Sequence, residues 1–97
     1  MRLLLTPEAA SNLAEIGDYL RQHNPSAALR VRDTILGSLE LLVDYPEIGR
    51  LQTTAGVRKL VTLKFGYLAY YVVDRDQQAI VVLAIAHPAQ KREHDDR

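Results

Sequence analysis

The stretch from Pro46 to His87 constrains this chain most. It opens with PEIGR and closes with VRKLVTLKFGYLAYYVVDRDQQAIVVLAIAH. Val57 to Lys64 alternates loosely, with Val61 and Leu63 on one face and Leu60 and Thr62 on the other. Phe65-Gly66 is a turn signal. Tyr67 to Asp74 is rich in the aromatic and β-branched residues that strands favour. Arg75 to Gln78 is a polar turn, and Ala79 to Ala86 is almost continuously apolar, as a strand covered on both faces requires. Pro88 ends it. Tyr45 to Gly56 reads as a loop with two glycines. This half of the chain is therefore three antiparallel strands behind a compact turn.

The preceding half is helical. Arg2–Leu5 is a short strand, Thr6 is a suitable N-cap, and Pro7 fits the first helical position, where its missing N–H costs nothing. Leu13, Ile16 and Leu20 then recur at helical spacing to about Gln22. Asn24-Pro25 breaks the helix and starts a second one. Its apolar stripe comprises Ala28, Ile35 and Leu42, with Leu29, Leu36 and Val43 beside them and Val31 and Leu39 between. Arg30, Arg32, Asp33, Ser38 and Glu40 fall off that stripe. A short turn makes the two helices an antiparallel hairpin. The expected fold is α+β, in the order β-α-α-β-β-β. A curved antiparallel sheet of about four strands would be covered on one face by the helices.

Ninety-seven residues make one domain, 1–97, with 88–97 a polar tail. Without cysteine there is no disulfide framework and no thiolate metal site. The Leu3–Leu5 run is too short for a signal peptide, and nothing approaches the roughly 18 apolar residues of a membrane span. A cytoplasmic location follows as an expectation. Lys+Arg and Asp+Glu are both 12, which argues against a free-standing nucleic-acid binder. Charge is unevenly spread, however: between Arg50 and Lys64 every charged residue is basic.

Nucleophilic catalysis has little support, since there is no G-x-S-x-G elbow and the serines sit in or near helices. His23, His87 and His94 lie in different elements, so no metal site and no cofactor are expected. Metal-free phosphodiester cleavage needs an acid, a base and cations around the phosphate. His87, Arg58 and Lys91 are the candidates for that chemistry. Arg58, Lys59, Lys64, His87, Lys91 and Arg92 are the candidates for contacting a target. Each also has a plain structural role: His87 as a strand-end cap, and Arg58 and Lys59 as edge charges on opposite faces. Tyr67 and Tyr71 share one face and Tyr70 takes the other, as a base-stacking platform or as core. Pro46, Gly49 and Arg50 form a structural turn, in which the Arg50 guanidinium would tie the loop to the sheet through carbonyls.

Several pieces in this order are similar to the RelE/ParE superfamily of bacterial toxins. They are the LTPEA helix start, L-x-x-I-x-x-Y-L at Leu13–Leu20, and I-x-x-S-L-x-x-L at Ile35–Leu42. YPEIGR at Tyr45–Arg50, VRKL at Val57–Leu60, Y-x-V-D at Tyr71–Asp74 and VLAIAH at Val82–His87 complete the set. The pattern resembles the ParE-like branch more than the RelE-like messenger-RNA nucleases. Those nucleases place an arginine where this chain has Leu68, and a tyrosine near the end where this chain has none after Tyr71.

The resemblance implies a type II toxin neutralised by a cognate antitoxin in a hetero-oligomer. The antitoxin would dock beside the helical hairpin and on an open sheet edge, with Leu29, Leu36, Tyr67 and Tyr71 as contacts. It implies non-enzymatic inhibition of DNA gyrase, with no direct specific nucleic-acid binding by the toxin alone and no membrane association. Two alternatives stand beside it. One is a RelE-like ribosome-dependent endoribonuclease. The other is a degenerate member that only binds its antitoxin and regulates its operon. Relatives follow the terminal histidine with a compact arginine pair, whereas Lys91 and Arg92 are displaced here.

Overall fold

The computed structural model describes residues 1–88. Arg2–Leu5 forms β1, Pro7–His23 α1, Pro25–Asp44 α2, Arg50–Leu51 β2, Val57–Val61 β3, Leu68–Asp74 β4 and Ala79–Ala86 β5. The strands lie in the order β1-β5-β4-β3-β2. The fold is α+β as expected, but the sheet has five strands rather than about four. One pair, β1 with β5, is parallel. The fifth strand is β2, inside the stretch read as a loop. Two residues are too few to show an alternation of period two.

The two helices start as their sequences dictate. The Thr6 hydroxyl accepts from the Ala9 N–H, and Pro7 occupies the first turn of α1. Asn24 separates the helices, but its side chain accepts from the Ser26 hydroxyl instead of capping a backbone N–H. On α2 the buried side is Ala27, Ala28, Val31, Ile35, Ser38, Leu39 and Leu42. Ser38 therefore lies on the stripe. Its hydroxyl accepts from the Leu63 N–H at 3.2 Å and ties the β3–β4 turn to the helix. That turn begins earlier than the alternation suggests. β3 stops at Val61, and Lys64 and Gly66 both take positive φ, near 69°.

Each face of the sheet carries its own apolar cluster. The helix-side core joins Ile35, Leu39 and Leu42 to Tyr67, Ala69, Tyr71, Ile80, Val82 and Ile85. The opposite face gathers Val57, Leu68, Tyr70, Ala84 and Ala86. A bulge at Leu83 shifts the register: Tyr70 faces Ala84, but Tyr71 faces Val82. β1 pairs with β5 only as far as Val82, and beyond that point the α1 region bonds β5 instead. The Thr6 hydroxyl donates to the Leu83 carbonyl at 2.9 Å, and the Ile85 N–H donates to Asn12 Oδ1 at 2.9 Å.

The turn after α2 is held from the sheet. Tyr71 is fully buried; its hydroxyl donates to the Pro46 carbonyl and accepts from the Gly49 N–H, each at 2.8 Å. Its strand neighbour Arg58 donates to the carbonyls of Gly49 at 2.7 Å and Glu47 at 3.0 Å. Gly49 is required for space, because a Cβ there would lie 2.5 Å from the Tyr71 hydroxyl. Arg50, expected to make this tie, is exposed and contributes backbone pairing to Lys59.

Tyr71→Phe should cost about 1–3 kcal/mol in a denaturant melt, because it strands the Gly49 N–H. Arg58→Ala should cost about 1–2 kcal/mol through two lost charge-assisted bonds, and Arg50→Ala less than about 0.5 kcal/mol. Equal costs for the two arginines would remove the assignment. Burial raises the Tyr71 hydroxyl above the ordinary tyrosine value of 10.0, against lowering by the Gly49 N–H and Arg58. The unfolded chain then loses its proton first. The stability Tyr71 contributes is full below about pH 10 and is lost as pH climbs through the folded value. Alkaline titration of the melt should show this loss, and Tyr71→Phe should diminish it.

Candidate functional site

One face of α1 and the end of the sheet enclose an open groove of about 520 Å³. Asn12, Glu15, Ile16, Tyr19 and Leu20 line it from α1, and Tyr67, Ile85 and His87 line it from the sheet side. The α1 residues fall together because positions three and four apart share a helix face. Asn12 anchors that face to β5 through the Ile85 bond, so the groove is fixed at its inner end.

Aromatic rings form much of the wall. His87 is exposed and meets Tyr67 edge to face, with ring centroids 5.6 Å apart at 88°. Tyr67 is buried apart from a sliver open to the groove, and burial, then Tyr19, raises its hydroxyl above 10.0. Tyr19 is 61% exposed and stacks on His23 at 4.0 Å, while His23 Nδ1 lies 2.9 Å from the Tyr19 carbonyl oxygen. Glu15 adds a carboxylate, and Ile16, Leu20 and Ile85 add an aliphatic floor. The arrangement suits a segment with apolar side chains and a polar or cationic group. Among the described residues no cluster of three His, Cys, Asp or Glu could hold a metal ion.

Of the residues singled out as target or antitoxin contacts, the described part of the structure brings two into this groove. His87 and Tyr67 share the groove. Arg58 does not join them, because its guanidinium is engaged by the Glu47 and Gly49 carbonyls on the far side of β4 from β5. Lys59 points to the other sheet face, level with Arg50 and Tyr70. Lys64 is exposed at the β3–β4 turn. Lys91 and Arg92 lie outside the described residues. Tyr71 cannot be a docking contact on this surface, since it is fully buried with its hydroxyl bonded twice. Leu36 is half-buried against the helix-side core, whereas Leu29 is 70% exposed.

Sequence reasoning passed over Asn12, Glu15 and Tyr19 as site residues. Their spacing on one helical face was visible. What was not visible was which α1 face would look onto the end of β5.

Toxin RelE2 of Caulobacter vibrioides is 34% identical over 89 residues, 92% of this chain and 97% of that protein. The structure titled chromosomal ParDE TA system from P. aeruginosa matches with a TM-score of 0.78 at 28% identity, covering 90% of this chain and 95% of the other. The intact E. coli RelBE toxin–antitoxin complex contains a chain of the same fold, with TM-score 0.69 at 16% identity, covering 92% and 98%. Residues 3–92 match the family described as ParE toxin of type II toxin-antitoxin system, parDE, and the chain belongs to that family.

Proposed function

We propose that this type II toxin acts by inhibiting DNA gyrase without catalysis, and that a cognate antitoxin silences it. The observation that carries this reading is the commitment of Arg58. A phosphodiesterase site needs cations placed to meet developing charge, and Arg58 is held by two turn carbonyls on the far side of β4 from His87. Leu68 supports the same reading. At the position where RelE-like nucleases have an arginine, this chain buries an apolar side chain in the cluster opposite the helices. The family match and the ParDE structural likeness agree with the antitoxin partnership. Among the described residues no helix is long and apolar enough to cross a membrane. We place the toxin in the cytoplasm, where its proposed target lies.

A second reading rests on His87. It is exposed at the rim of a groove that also holds Glu15 and Tyr67, and a relative carries the name RelE2. A ribosome-dependent nuclease would use that imidazole as acid or base, with Lys91 as a cation.

Pulse-labelling of DNA and protein synthesis just after induction without antitoxin separates these readings. Early loss of DNA synthesis is expected, with purified gyrase inhibited in turn. Early loss of protein synthesis would overturn the gyrase reading. Folded His87→Ala should keep its toxicity; loss of toxicity with an intact melt would favour the nuclease. A chain that arrests neither synthesis is an antitoxin-binding regulator only.

A further inference from the structure

The groove under α1 differs from a plain apolar docking slot in one respect. Its lining includes a carboxylate, Glu15, set among Tyr19, Tyr67, His87 and three aliphatic side chains. The next acid on the helix, Asp18, is neutralised by Arg21. Glu15 has no such ion pair among the described residues. Any segment that covers the groove strips water from that carboxylate, which costs free energy unless the cover supplies a positive charge. An anionic cover, a phosphate or an acidic peptide, would meet repulsion instead.

The ring surfaces narrow the choice of cation. Guanidinium is planar, stacks on aromatic faces and forks onto a carboxylate, whereas ammonium is a strongly hydrated point charge. Tyr19 lies one turn along α1 from Glu15 and is 61% exposed; His23 stacks on one of its ring faces, which leaves the other for a cation. Ile16, Leu20 and Ile85 supply apolar surface for the aliphatic stem and for neighbouring side chains. We propose that the groove is the receptor for an arginine side chain of the antitoxin, flanked by apolar residues, with Glu15 as its carboxylate partner and Tyr19 as its stacking surface. This rests on the toxin–antitoxin reading for the identity of the occupant. It assigns the recognition to residues on α1 and not to the Arg58–Tyr71 turn.

The probes are three short peptides, acetyl-Leu-Arg-Leu-amide and its Gln and Glu counterparts, titrated into the isotope-labelled chain and followed by NMR. The arginine peptide should shift the amides of Ile16, Tyr19, Tyr67 and His87 saturably. One exposed ion pair and one cation–π contact correspond to about five- to tenfold tighter binding than for the glutamine peptide. Glu15→Gln and Tyr19→Leu should each erase a few-fold of that preference, with circular dichroism unchanged. Equal binding of the three peptides, shifts centred elsewhere, or an unaltered preference in Glu15→Gln would overturn the proposal. A parallel titration with the co-expressed antitoxin keeps the two inferences apart. If the antitoxin binds wild type and Glu15→Lys equally, the partnership stands and the arginine receptor falls. If wild type binds no antitoxin, both fall. A tenfold or greater loss in Glu15→Lys supports the receptor.

Discussion

The cross-strand pair Arg58 and Tyr71 organises one end of this molecule. The two side chains stand side by side on β3 and β4 and together take up the Pro46, Glu47 and Gly49 backbone. A turn leaving a helix has carbonyls and N–H groups that need partners if they approach the core. Here the sheet supplies them, so the chain can pass close over Tyr71 and continue directly into β2. Gly49 is the steric condition for that approach. β2 is only two residues long, too short to persist by its own ladder. Its place beside β3 depends on the turn being held.

A second set of polar ties sets the opposite end. The Leu83 bulge interrupts the β4–β5 ladder, and Thr6 and Asn12 of the α1 region bond the carbonyl of Leu83 and the N–H of Ile85. Thr6 thereby serves twice, capping the helix and gripping the strand. Because Asn12 grips β5 near its C-terminal end, the following turns of α1 project past the strand toward His87. The groove is the space left between them. The hydrogen bonds from Thr6 and Asn12 thus set how α1 sits over β5.

Much of this was legible in the sequence, for identifiable reasons. Proline, the Thr6 cap and the 3.6-residue period mark both helices, and three strands carry strong β-branched and aromatic signals. Tyr67 and Tyr71 sharing one face, with Tyr70 on the other, also followed from alternation. The errors cluster where a side chain reaches across the fold. Arg50 sits in the turn and Arg58 outside it, so adjacency pointed to the wrong arginine. Ser38 looked polar and exposed, yet it is buried because an N–H of the β3–β4 turn needs its hydroxyl. The β1–β5 parallel pairing joins the two ends of the described chain, a contact no local pattern encodes. Glu15 carries no local signal at all, since a charge on a helix face is ordinarily solvated.

The two ends divide the polar side chains between structure and availability. Arg58 and Tyr71 look chemically promising in sequence, but the fold ties Arg58 Nη1 and the Tyr71 hydroxyl to its own backbone. Glu15 and Tyr19 look ordinary in sequence, yet with His87 they line an open groove. Turning Arg58 Nη1 onto a phosphate would give up the two carbonyl bonds that hold the turn, together about 1–2 kcal/mol. Contact at the groove requires no such loss. A partner that binds there can do so without disturbing the clamp, which leaves the β2–β3 side and its paired basic residues, Arg50 and Lys59, on a different surface of the same small sheet. With the antitoxin in the groove as proposed, its recognition and the action on a target would draw on separate faces.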